Sequence, residues 1–199
     1  MQRKPILLFL LKTILIYALL AAPFSFYDEA YGKFYRTYGN KFFHRFHGNG
    51  LEMFSEEEEK YLTRMAVGNY AQVRADNTVE TFYRTINTRI SGYLPTVLLI
   101  SLVLSSPVQW KRKMLALILS FVLLSIYIIF QQWIIIFYLS AHNHSLNLYD
   151  FSEGQKNIID FIYRGVVEML GFSWFIVVVI WLLVTFRKDD LKVLNKRKS

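Results

Sequence analysis

The stretch MLALILSFVLLSIYIIFQQWIIIFYLSA, Met114–Ala141, carries no charged residue along its whole length. A bilayer core roughly 30 Å thick needs about 20 helical residues to cross it. Pro5–Phe24, Tyr93–Val108 and Val166–Phe186 have the same apolar character. In lipid, only helices and closed barrels satisfy their own backbone polar groups, and these runs lack the alternation of a barrel strand. The expectation is therefore an all-α integral membrane protein with four transmembrane helices. The segments read as helix 1 over 1–24, an external segment over 25–90, helix 2 over 91–109 and helix 3 over 114–141. An external loop over 142–157, helix 4 over 158–186 and a basic tail over 187–199 complete the chain.

Charge orients this arrangement. The net charge is +8, and the surplus is concentrated in three places. Arg3 and Lys4 precede the first apolar run, Lys111, Arg112 and Lys113 separate the second from the third, and Arg187, Lys188, Lys192, Lys196, Arg197 and Lys198 follow the last. The segment after the first run is balanced. That asymmetry is the positive-inside pattern, which predicts both termini in the cytoplasm of a multi-pass inner-membrane protein and two external connections. Basic charge used in this way gives no reason to expect a nucleic-acid partner.

The chain is 54% hydrophobic, with 17 Phe, 13 Tyr and no cysteine. Disulfides, thiolate metal sites, a cysteine nucleophile and a cysteine-linked lipid anchor are excluded. Ile6–Leu20 behind Arg3-Lys4 resembles a secretory signal, but Pro23 directly after Ala21-Ala22 spoils a cleavage site, so the first helix is expected to be retained. Lys12 lies within it, where the long stem can snorkel to the headgroups or present a charge to a partner.

Asp160, Arg164 and Glu168 fall at i, i+4 and i+8 and would share one face of helix 4. There Arg164 can pair with either carboxylate, as a salt-bridged extension of the helix or as a charged surface for a partner. Gln131 and Gln132 interrupt helix 3, where they can bond to neighbouring helices. Ser101, Ser105 and Ser106 give helix 2 small packing positions, between Pro95 at its start and Pro107 at its end.

The external segment opens with Tyr27, Tyr31, Phe34, Tyr35, Tyr38, Phe42 and Phe46 at helical spacing, interleaved with Lys33, Arg36, Lys41 and Arg45. Such a stripe reads as a helix lying on the membrane surface or capping the bundle. Stacking of bases or sugars is the less favoured use. Gly48-Asn49-Gly50 is a turn. Ser55-Glu56-Glu57-Glu58 has the form of a capping box and predicts a helix over 56–67 ending at Gly68. The β-branched and aromatic residues of 70–90, broken at Ala75-Asp76-Asn77, fit a hairpin, which would make the segment α+β.

His44 and His47, at i and i+3, and His142 with His144 are external in this topology and form a candidate metal set, though their spacing matches no diagnostic pattern. No nucleophile elbow, phosphate loop or zincin motif appears. The one serine beside a histidine is Ser145, and neighbours on a loop seldom form a catalytic pair. The chain is therefore expected to be non-catalytic and to need no cofactor.

One run then draws a comparison. Tyr93-Leu94-Pro95-Thr96-Val97-Leu98-Leu99-Ile100-Ser101-Leu102-Val103-Leu104-Ser105-Ser106-Pro107 leads to the turn Trp110-Lys111-Arg112-Lys113 and a long third helix. With one helix and an external segment before it, this layout resembles the small exosortase-associated membrane proteins of bacterial envelopes. The resemblance implies an accessory subunit whose partner is another integral membrane protein, a transpeptidase of the exosortase type. It implies no catalytic residues, and the chain lacks the cysteine that such a transpeptidase needs. Asp160, Arg164, Glu168, Lys12, Gln131 and Gln132 are the expected partner-binding residues, and the alternative is an external metal or ligand site at the histidines.

Overall fold

A computed structural model describes residues 3–43, 50–73, 78–146, 148–169 and 171–186. Its helices are α1 (Arg3–Ala21), α2 (Phe24–Phe43), α3 (Leu94–Ser105), α4 (Trp110–His142), α5 (Glu153–Tyr163) and α6 (Phe172–Thr185). Its strands are β1 (Gly50–Glu56), β2 (Leu62–Val73) and β3 (Val79–Asn87). The chain is mostly helical, but the three strands make an antiparallel sheet in the order β1-β2-β3, so the all-α expectation gives way to α+β.

The four-helix membrane count is also corrected. Among the described residues only α4, with 33 residues, is clearly long and apolar enough to cross a bilayer, at about 50 Å for a rise of 1.5 Å per residue. The 12 residues of α3 reach about 18 Å and the 14 of α6 about 21 Å. The apolar part of α1, Ile6–Ala21, is likewise short. Helix 4, expected to run unbroken over 158–186, instead stops at Glu168 and resumes at Phe172. A π-helical turn over Arg164–Glu168 precedes the stop, and Gly165 and Gly171 supply weak helix formers on both sides of it.

The predicted helix over 56–67 is a strand–turn–strand. Leu62–Val73 buries Thr63, Met65 and Val67 on one face and pairs with both neighbouring strands, Phe54 opposite Met65 and Val67 opposite Phe82. Two long-range ladders outweigh the capping signal of Ser55–Glu58, as tertiary pairing often does. The glutamates act across strands instead. Glu57 accepts from Arg64 at 2.6 and 3.0 Å and from the Thr85 hydroxyl at 3.2 Å. The hairpin of β2 and β3 opens at Leu62 rather than at residue 70. The break placed at 75–77, His44, His47 and the basic tail 187–199 lie outside the described residues.

The chain divides into two compact units. The first comprises 1–24, 94–127 and 173–199. Here α1 packs along α3, and Phe9 stacks on Trp181 at 5.6 Å. The Trp181 indole donates to the Ser106 hydroxyl at 2.9 Å. Arg112 donates to the Thr185 carbonyl at 2.6 Å and Lys113 to the Leu104 carbonyl at 2.5 Å. Both carbonyls are at helix C-termini, where acceptors are left over and a cation opposes the helix dipole. Two residues of the basic turn thus cap α3 and α6. Lys12 is exposed on α1, among the outward side chains Leu11, Ile14 and Leu15.

The second unit comprises 25–93 and 128–172. It holds α2, the sheet, the C-terminal half of α4 and α5. Its buried side chains include Tyr35, Phe43, Phe54, Met65 and Val67 on α2 and the sheet, and Ile135, Ile136, Leu139, Leu146 and Tyr163 after them in the chain. The Asn69 amide donates to the Leu146 carbonyl at 2.7 Å, tying β2 to the turn after α4.

Candidate functional site

The end of α4 presents Tyr138 and His142 one turn apart, and α5 presents Asp160 and Tyr163 at i, i+3, so each pair shares a face. A capping box starts α5, with the Ser152 backbone N–H donating to the Gln155 side chain at 2.9 Å. On the inner face of β3, period-two alternation sets Arg84 opposite Met65.

These side chains assemble into a column. His142 Nε2 lies 3.2 Å from Asp160 Oδ1. The His142 ring stacks on Tyr138 at 4.5 Å, and Tyr138 stacks on Tyr163 at 3.7 Å with the ring planes 10° apart. Arg84 sits over the Tyr163 ring at 5.8 Å and reaches Glu168 at 3.5 Å. The order is carboxylate, imidazole, two phenols, guanidinium, carboxylate. The phenol of Tyr163 is fully buried, whereas the charged ends remain partly open to solvent.

Asp160 and Glu168 therefore take part, but not with Arg164. The π turn inserts an extra residue between Arg164 and Glu168, as the Met169 N–H to Arg164 C=O bond at 3.0 Å records, while Asp160, still one α-helical turn before Arg164, faces His142. Arg164 is exposed and makes no ion pair among the described residues. Gln131 donates to the Val166 carbonyl at 3.1 Å, close to the helix stop where backbone acceptors lose their partners. Gln132 is fully buried, and neither of its amide atoms has a hydrogen-bond partner among the described residues.

Of the histidines, His142 turns Nδ1 to the Tyr138 carbonyl at 3.1 Å and Nε2 to Asp160, so both ring nitrogens face oxygen. The side chain of His144, like His44 and His47, lies outside the described residues. Among those that are described, no group of three or more His, Asp or Glu side chains is placed to hold a metal ion.

Sequence reasoning missed Glu52. It points inward from β1 beside Val67, is 4% exposed, and neither of its carboxylate oxygens is hydrogen-bonded to another side chain or backbone group among the described residues. Burial pushes its carboxyl up to about 7. Burial, and then the charge of Glu52, raises the phenol of nearby Tyr149. Tyr149 lines a cleft of about 120 Å³ with Ser140, Asn143, Asp150 and Lys156. The alternation Glu52-Met53-Phe54 was the available signal, but the helix predicted just after it drew the residue out of a strand context.

The stretch from α5 to the helix stop leaves several apolar side chains open. Phe161 is 79% exposed, with Ile158 and Met169 at 60% and 62%. Arg164 lies in the same stretch. Such a patch combines exposed apolar area with a free guanidinium, the mixture enriched at protein interfaces. No family model, curated protein or solved structure matches this chain.

Proposed function

We propose that the chain is a non-catalytic accessory subunit of a membrane protein, embedded in the inner membrane through its first unit. In this proposal α4 is the full crossing, and the shorter α1, α3 and α6 enter the bilayer beside it. The basic residues at both ends and in the α3–α4 turn favour a cytoplasmic N- and C-terminus. The observation that carries the proposal is the exposed face of Ile158, Phe161, Arg164 and Met169. A monomer seldom leaves a phenyl ring 79% exposed near an arginine that has no ion pair among the described residues without a partner for them.

The partner is an integral membrane protein offering an apolar pocket and a carboxylate. The resemblance of the Tyr93–Lys113 run to exosortase-associated proteins is what favours a transpeptidase of that type. The Asp160 to Glu168 column holds α5 to the sheet and so fixes the docking face. Gln131 steadies the helix stop, and the exposed Lys12 is a further polar contact for a helix of the partner, whereas Gln132 is buried within the chain and is out of a partner's reach. No hydroxyl is hydrogen-bonded to the His142–Asp160 pair among the described residues, which is why a binding role is preferred to a hydrolytic one.

A photo-crosslinking amino acid in place of Phe161 tests this in living cells. An adduct with a second membrane protein is expected. Absence of any adduct, or adducts only with a second copy of this chain, would contradict the proposal. The alternative metal site is tested separately by metal content, which His142→Ala would lower only if that site exists.

A further inference from the structure

Helix α2 has two aromatic faces, and the sheet uses one of them. On the inner face Tyr35 and Phe43 pack on Phe54 at 6.4 and 6.1 Å, and Gly39 brings the helix close enough that a Cβ there would lie 2.9 Å from the Phe54 ring. Beside that face Tyr31, Phe34, Tyr38 and Phe42 follow one another at 6.1, 5.6 and 6.4 Å between ring centroids, with Tyr31 at the start of the row also packed on Tyr93 at 5.9 Å. These positions, with Tyr27 one turn earlier, fall within a narrow arc at 100° per residue. Tyr27, Phe34 and Phe42 are 54%, 43% and 47% exposed. Lys41 is exposed on the flank of this ridge, and Lys33 is exposed about 100° further round the helix.

We propose that this ridge lies in the headgroup layer of an anionic bilayer. Three features single out lipid as the occupant. Aromatic rings with a polar edge favour the interfacial layer, where the ring is shielded and the hydroxyl stays wet. Ammonium groups beside the rings complement lipid phosphates and draw the helix to an anionic surface. The chain also enters α2 at Phe24, directly after the apolar α1 and the link Ala22-Pro23, so the ridge follows a membrane-type segment in sequence. Stacking orders the rings beforehand, which lowers the entropy lost on docking. The inference rests on the chain being membrane-embedded, and the experiment separates the two.

The chain has no cysteine, so single nitroxide labels need no background removed. Phe34→Cys, Phe42→Cys and the flanking Thr37→Cys are labelled in the full chain, in vesicles of neutral lipid with and without phosphatidylglycerol. Ile118→Cys, on an outward position of α4, reports insertion of the first unit, and Glu58→Cys in the β1–β2 turn reports water. The Phe34 and Phe42 labels should be more accessible to oxygen than to a water-soluble nickel complex. Their depth should be about 5–10 Å, the range for an interfacial helix. Lys33→Glu with Lys41→Glu, or omission of the anionic lipid, should move them toward water. Thr37→Cys leaves every ring in place and should report the headgroup level.

Nickel accessibility equal to that of Glu58, with the Ile118 label in lipid, would overturn the ridge proposal alone. Ile118 in water as well would overturn the membrane reading with it. Shielding of Phe34 and Phe42 from both reagents would mean that protein covers the ridge, which also overturns it.

Discussion

The side-chain amide of Asn40 closes the open edge of β1 at Phe54. Its Nδ2 donates to the Phe54 carbonyl and its Oδ1 accepts from the Phe54 N–H, both at 2.8 Å. An edge strand otherwise offers these groups to another chain. One side chain thereby satisfies the peptide, docks α2 and blocks strand addition there. Asn40→Asp keeps the shape but loses the donor, leaving the Phe54 carbonyl unpaired beside a carboxylate. A loss of about 1–3 kcal/mol is expected in thermal unfolding in mild detergent. Faster amide exchange at Phe54 should accompany it, and unchanged exchange would refute the role.

Gly32 is the second place where α2 meets the sheet closely. A Cβ there would lie 2.6 Å from the Lys60 carbonyl oxygen, and backbone cannot yield as a side chain can. Glycine to alanine within a helix usually gains about 0.5–1 kcal/mol. Gly32→Ala is expected to lose about 1–3 kcal/mol instead. Gly154→Ala in α5, where nothing lies within 4 Å of the new methyl, is the control and should be neutral or gain slightly.

Glu52 makes the second unit pH-dependent. Its carboxyl titrates near 7 in the folded chain against an ordinary 4.5. Between those values the folded chain holds a proton that the unfolded chain has released. Stability should therefore fall as pH rises through that window and be flat on either side of it. The full change is on the order of 3 kcal/mol at about 1.4 kcal/mol per unit. Glu52→Gln should flatten the melting temperature between about pH 4 and about pH 8 and raise it at neutrality. An unchanged slope in the variant would assign the dependence elsewhere.

The column from Asp160 to Glu168 should depend on its rings more than on its charges. The Arg84–Glu168 pair is about half exposed on both sides at 3.5 Å, and such pairs contribute less than about 1 kcal/mol. Tyr163 is fully buried and stacked face to face at 3.7 Å. Tyr163→Leu should cost about 2 kcal/mol or more, with little sensitivity to salt, and Arg84→Gln less than about 1 kcal/mol. The reverse order of losses would show that the ion pair governs the site.

Local signals in the sequence were uneven guides. Continuous apolar runs located α4 and the cores of α1, α3 and α6, because a greasy helix announces itself by composition. Length was harder, since α3 stops short of Pro107 and α6 starts only after the Gly165–Gly171 stretch, and among the described residues only α4 keeps the full reach. The sheet was obscured because Ser55–Glu58 carries a good helix-start signal. The opposing force, pairing of β2 with both β1 and β3, is long-range and invisible in a window. The site split along the same line. Asp160 and Glu168 stood out as charges near an apolar run, whereas Arg84 and Tyr138 became recognisable only when three elements met. Arg164 pairs with neither carboxylate among the described residues, because the π turn changes its spacing to Glu168 and because Asp160 faces His142 on α4, and neither is foretold by a residue pattern here.

Recovery of a partner tests the proposed role most directly. A C-terminally tagged chain is purified in mild detergent beside its Phe161→Asp and Arg164→Glu variants, and accompanying proteins are identified by mass spectrometry. A stoichiometric integral membrane protein with the parent chain, lost from both variants while the chain itself remains folded, is the predicted result. A clean monomer or homo-oligomer, or a partner retained equally by all three, would contradict it.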